Sequence, residues 1–132
     1  MPRDPGQLGS PLEWLKRAKS NLALARQARS EEIYWEDLCF ETQQAAEKAL
    51  KAVLIAKGIP FRYVHDLAEL LTLLENHGIP LPETVRRAAS LTNYSVEARY
   101  PGPFEPVTED EFHEALSLAE AVVAWVDSII AA

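Results

Sequence analysis

The stretch Gln43-Gln44-Ala45-Ala46-Glu47-Lys48-Ala49-Leu50-Lys51-Ala52-Val53-Leu54 decides how this chain is read. Wound at about 100° per residue, it places Asp37, Gln44, Glu47, Lys48 and Lys51 on one narrow stripe. Tyr34, Leu38, Ala45, Ala46, Ala49, Leu50, Ala52, Val53 and Ala56 form a broad apolar arc opposite. A helix apolar over so much of its circumference is packed by more than one neighbour. Its single polar stripe is therefore the first place to look for function.

The flanking sequence is well punctuated. Ser10-Pro11-Leu12-Glu13 fits a capping box with proline at the first helical position, and Leu12, Leu15, Ala18, Leu22 and Ala25 follow at helical spacing. The second, central helix is expected from about residues 31–33 to Lys57, where Gly58 supplies a left-handed residue and Pro60 blocks continuation. Asp66 can cap a third helix built on Leu67, Leu70, Leu71 and Leu74 and closed by His77-Gly78. A shorter fourth helix opens at Pro82-Glu83, carries Val85, Ala88, Ala89 and Leu91, and ends near Tyr94. Thr108-Glu109-Asp110-Glu111 is a second capping box, introducing a final helix with Phe112, Leu116, Ala119, Val123, Val126 and Ile130 inward. No segment alternates with period two, so no sheet is expected. The expected fold is all-α, an up-and-down bundle of about five helices with short connections. The one longer link, residues 95–107, is stiffened by Pro101, Pro103 and Pro106.

At 132 residues, nearly half of them apolar, the chain suits one domain with a real core. Residues 11–132 are assigned to it. Residues 1–10, rich in proline and glycine and without an apolar run, read as a loose tail rather than a signal peptide. No stretch approaches the roughly 20 apolar residues of a membrane span. Cys39 has no second cysteine to pair with and falls near the apolar arc, as a small buried hydrophobe would. A cytoplasmic location is expected. Net charge of −7 opposes sequence-blind binding to nucleic acid. The balance is uneven, +4 over residues 1–30, −4 over 31–94 and −7 over 95–132, so any phosphate-binding surface must be local.

Arg99 is the only basic residue of the last third, and Pro101 holds Tyr100 in extended geometry. A guanidinium there can grip a phosphate or carboxylate in bidentate fashion, or fasten the loop to Glu97 or to the acidic last helix. Lys48 and Lys51, one turn apart, can meet a phosphate together. Glu47 and Lys51 equally make an ordinary i,i+4 pair. His65 beside Asp66 either faces a ligand or helps fasten the third helix. Tyr94 and Tyr100 can stack on a base or pack, and His77 reads as a C-terminal cap partner. No Gly-rich phosphate loop, zinc-type cluster or nucleophile motif is present, so neither metal nor cofactor is expected.

The tract QQAAEKALKAVL, the His65-Asp66-Leu67 triplet after it and Ala98-Arg99-Tyr100-Pro101 follow in order. Together they resemble the HEPN family (higher eukaryotes and prokaryotes nucleotide-binding) over residues 14–130. The resemblance implies a small stand-alone helical bundle, and the candidate ligand residues in it are Arg99, Tyr100, Lys48, Lys51, His65, Gln44 and Glu47. It also implies a homodimer or higher homo-oligomer and a minimal nucleotidyltransferase partner, in the manner of toxin–antitoxin pairs. HEPN ribonucleases carry an arginine followed, after four to six residues, by histidine. Such a histidine can move the 2′-hydroxyl proton while the arginine stabilises charge on phosphorus. Counted from Arg99, those positions hold Phe104, Glu105 and Pro106. His113 lies beyond the spacing. The reading is a non-catalytic HEPN-type module that binds a nucleotide, an RNA end or a nucleotidyltransferase. The alternatives are a ribonuclease or toxin with a degenerate site, and a purely structural self-associating bundle.

Overall fold

The structure is a computed structural model that describes residues 2–3, 9–27, 29–95 and 106–130. Among these, five α-helices carry the fold: α1 (Pro11–Ala25), α2 (Trp35–Ala56), α3 (Leu67–Asn76), α4 (Glu83–Arg87) and α5 (Glu109–Ile130). A 3-10 helix, Ala88–Tyr94, continues α4, so the expected fourth helix is one α turn that tightens into 3-10 geometry. The only strands among the described residues are two-residue segments, β1 (Pro2–Arg3) and β2 (Phe61–Arg62). They pair antiparallel, Pro2 with Arg62 and Arg3 with Phe61. Arg99 and Tyr100 lie outside the described residues.

The helix ends follow the capping logic of the sequence. Ser10 Oγ accepts from the Glu13 amide at 3.1 Å, and Asp66 Oδ1 from the Ala68 amide at 3.0 Å. Before α5 the box is reciprocal: Thr108 Oγ1 accepts from the Glu111 amide while Glu111 Oε1 accepts from the Thr108 amide, both at 3.1 Å. Gly58 ends the α2 turn with φ +67°, a conformation that costs glycine nothing. His77 Nδ1 donates to the Leu73 carbonyl at 2.8 Å, closing α3. The start of α2 differs from expectation. Residues 30–33 close a separate turn through Ile33 N–H to the Ser30 carbonyl, and Tyr34 is extended, so the helix begins at Trp35.

Helix α2 runs through the middle, with α1 and α5 along it and α3 and the 3-10 helix closing a further side. Ala45, Ala46, Ala49, Leu50, Ala52, Val53 and Leu54 are wholly buried, as a helix with several neighbours requires. The arc is narrower at its ends than the periodicity suggested. Tyr34 is 68% exposed, because it precedes the helix, and Ala56 is exposed in the last turn. Leu12 likewise faces solvent. Cys39 is buried, and burial first, then Glu111 and Glu36, push its thiol up to about 12, so it stays neutral. The tryptophans are edge-packing residues. Trp35 lies 5.1 Å from the Phe112 ring with the Arg29 guanidinium 4.5 Å from its own ring centroid, and Trp125 packs against the core. No helix among the described residues is long and apolar enough to cross a membrane.

Candidate functional site

The polar stripe of α2 does not face open water. Glu47 is 4% and Lys51 1% exposed, whereas Gln44 and Lys48 are half-buried and Asp37 is exposed. The helix that supplies the stripe is covered at this level by α1 and by the segment between α2 and α3. That segment is fixed at both ends. Ile59 N–H bonds the Leu54 carbonyl at 2.9 Å, and the Leu67 amide donates to Thr92 Oγ1 of the 3-10 helix at 2.9 Å. The Phe61 side chain is buried beneath it, and His65 stands just ahead of the Asp66 cap.

Glu47 is the centre of the arrangement. Its Oε2 accepts from Lys51 Nζ at 2.9 Å; its Oε1 meets Gln43 Nε2 at 3.0 Å and His65 Nδ1 at 2.9 Å. Burial favours the neutral acid and is the largest single influence. The Lys51 ammonium and the hydrogen bonds from Lys51, Gln43 and His65 together outweigh it, holding the carboxyl below its ordinary 4.5. Lys51 is capped by aromatic rings, with Nζ 4.6 Å from the Tyr63 centroid and 5.9 Å from that of Phe61. Gln43 also donates to the His65 carbonyl at 3.3 Å, and Gln44 Nε2 donates to Gln43 Oε1 at 2.8 Å. No buried side-chain polar atom among the described residues lacks a partner.

Above this network opens a cleft of about 370 Å³, at the small end of the roughly 300–1,000 Å³ of ligand pockets. All five described residues of the expected set, Gln44, Glu47, Lys48, Lys51 and His65, line it. Lys51 reaches it only from beneath, tied to Glu47, so Lys48 and Lys51 do not stand side by side as two surface cations. Lys48 Nζ instead donates to Asn21 Oδ1 of α1 at 2.8 Å, and Asn21 Nδ2 to Glu41 Oε1 at 2.7 Å. The opposite wall comes from α1, with Glu13, Trp14 and Arg17, and the rim from Tyr63. None of these four was assigned to the site from the sequence. Trp14 and Arg17 are three apart beside the inward row of Leu15, Ala18 and Leu22, which was the available sign that they border an interface. No group of three or more His, Cys, Asp or Glu residues able to hold a metal occurs among the described residues.

Tyr94 lies away from this cleft, beside α5. Burial first, then Cys39, Glu111 and Glu114, push its phenol up to about 12, so it stays neutral. His113 sits 3.3 Å from Glu109 and edges the Trp35–Phe112 cluster.

Comparison with known proteins gives a consistent picture. The family model of the HEPN domain matches residues 12–129. The chain is 29% identical over 131 residues to the Methanocaldococcus jannaschii protein named "Putative toxin MJ1304", covering 89% of this chain and 86% of that one. Among solved structures it is similar to TT1696 from Thermus thermophilus (33% identity, TM-score 0.74, 89% and 96% of the two chains). It is also similar to ST0689, described as an archaeal HEPN homologue (30% identity, TM-score 0.72, 93% and 99%). The Thermotoga maritima HEPN domain protein tm0613 shares the fold, with TM-score 0.55 at 23% identity over 92% and 93% of the two chains.

Proposed function

The chain belongs to the HEPN domain family, and from that premise we propose that it is a binding module, without catalysis of its own, that takes a phosphate-bearing nucleotide into the cleft between α1 and α2. One observation carries this reading: Lys48 and Arg17 meet Trp14 and Tyr63 around a cleft of about 370 Å³. Cations on the walls suit a phosphate, and aromatic rings offer a face to a base of any identity. The cleft's buried negative charge, Glu47, is already neutralised by Lys51, so it does not repel an anion from below. Arg99 and Tyr100 enter this proposal through the family resemblance, as donors from the 95–107 loop. A nucleotidyltransferase partner has the same basis.

Titration of the purified protein with AMP, GMP, CMP and UMP, followed by tryptophan fluorescence and calorimetry, tests the reading. We expect saturable binding, weakened about tenfold or more by Lys48→Ala, the usual cost of losing a charge-assisted hydrogen bond. Absence of binding to every mononucleotide at about 1 mM, where ΔG would be only about −4 kcal/mol, would remove the proposal.

The likeness to a protein named as a toxin favours a second reading, a toxin, which the family resemblance would make a ribonuclease with a degenerate site. Against it stand Phe104, Glu105 and Pro106 where a proton-transferring histidine is needed. Incubated with single-stranded RNA and a chelator, the protein is expected to leave it intact. Cleavage that vanishes in Arg99→Ala, with the fold retained, would transfer the chain to the catalytic class.

A further inference from the structure

The buried carboxylate at the floor of the cleft dictates what its wall can recognise. An ionised carboxylate only accepts hydrogen bonds. Glu47 therefore requires the amide nitrogen of Gln43 to face it, as it does at 3.0 Å, and this turns Gln43 Oε1 the other way. Gln43 Oε1 in turn draws the amide nitrogen of Gln44 inward, at 2.8 Å. With its Nε2 donating to Gln43, the Gln44 amide keeps its acceptor oxygen Oε1, and Gln44 lines the cleft. The same carboxylate holds the proton of His65 on Nδ1, at 2.9 Å, so in the neutral imidazole Nε2, across the ring, is an acceptor. His65 keeps 53% of its side-chain surface exposed, and it too lines the cleft. One buried charge thus leaves an acceptor atom on each of these two cleft-lining residues, Gln44 Oε1 and, in the neutral imidazole, His65 Nε2.

Two acceptors on one wall are a poor place for a phosphate and a good one for a hydrogen-bond donor. Cationic donors stand elsewhere on the cleft, at Lys48 of α2 and Arg17 of α1. Tyr63, two residues from His65 on the same segment, lines the same cleft. A single exocyclic NH2 carries two protons, enough to satisfy both Gln44 Oε1 and His65 Nε2, whereas a hydroxyl carries one. The edges of adenine and cytosine present such an amino group, and the corresponding position of hypoxanthine and of uracil carries a carbonyl oxygen.

We infer that Gln44 and His65 are specificity residues that read an exocyclic amino group, selecting cytosine over uracil nucleotides and adenine over hypoxanthine nucleotides, with the phosphate held at Lys48 and Arg17. This deepens the nucleotide-binding reading and rests on it. A carbonyl set against the two acceptors forfeits both hydrogen bonds and leaves them desolvated, which is how sites built around a donor reject its isostere.

The test compares CMP with UMP and AMP with inosine 5′-monophosphate, pairs that exchange amino for oxo at nearly constant shape. The amino member is expected to bind about tenfold or more tightly in each pair. Gln44→Met, which keeps the side-chain length and removes the acceptor at a half-buried position, is expected to shrink that ratio severalfold while circular dichroism stays unchanged. Equal binding of amino and oxo nucleotides, a preference for the oxo members, or a ratio untouched by Gln44→Met overturns this inference and leaves nucleotide binding standing. Failure of all these nucleotides to bind overturns both.

Discussion

Glu47→Gln is expected to lower the unfolding free energy by about 3–5 kcal/mol, a large part of the roughly 5–15 kcal/mol of a domain this size. The substitution preserves shape and removes only charge. It leaves the Lys51 ammonium, 1% exposed, without its counterion at 2.9 Å. Contact with the Tyr63 and Phe61 rings offsets part of that cost, since an ammonium over a ring gains about 0.5–2 kcal/mol, which is too little to replace a carboxylate. The double variant Glu47→Gln with Lys51→Met should recover most of the loss, ending within about 1–2 kcal/mol of the native protein, because neither charge is then buried alone. The introduced amide oxygen would still accept from Gln43 and His65 in that variant. Urea unfolding of the native protein, both single variants and the double variant gives the cycle, and a loss under about 1 kcal/mol for Glu47→Gln would contradict the buried pair.

The same carboxylate sets an acid limit. Its folded value lies below the ordinary 4.5, so its contribution is complete above pH 4.5 and is lost as pH falls through the lower, folded value. The stability difference between native protein and Glu47→Gln should therefore narrow below about pH 4.5. A difference that widens on acidification would mean that the carboxyl is not ionised in the fold.

The sequence carries the fold at its helix ends and along its helix faces. Ser10, Asp66, Thr108 with Glu111, and Gly58 each act where their chemistry places them, because caps and left-handed turns depend on neighbours within four residues. The start of α2 escaped because Glu31 and Glu32 are good helix formers, and nothing local shows that Ser30 closes its own turn. The α2 half of the cleft was visible for a similar reason: Gln44, Glu47, Lys48 and Lys51 share a face by periodicity alone. The depth of the cleft was hidden. Whether Glu47 and Lys51 meet water is decided by Tyr63, Phe61 and α1, which approach from other parts of the chain. Periodicity within one helix holds no record of what lies across an interface. Gln43 shows this most sharply, since it sits at the edge of the apolar arc yet is wholly buried and relays the orientation of Gln44.

Leu50→Ala is the second large effect expected, a loss of about 2–5 kcal/mol. Leu50 is wholly buried on the central helix, against which both α1 and α5 pack. Those two neighbours are also joined by ion pairs, Lys19 with Asp127 at 3.0 Å and Arg26 with Glu120 at 2.6 Å. The pairs are roughly half exposed, 50% and 44% for the first and 52% and 41% for the second, so screening holds each to about 0–1 kcal/mol. Removing most of the Leu50 side chain costs more, because α2 is fixed between neighbours on several sides and cannot collapse into the space. Lys19→Met should therefore change stability by less than about 1 kcal/mol, while Leu50→Ala shifts the urea midpoint severalfold further with an unchanged slope. The reverse order would place the hold between α1 and α5 in surface charge. It would also remove the ground for treating the cleft wall as rigid, since Gln44, Glu47, Lys48 and Lys51 keep their places only because α2 cannot turn about its own axis.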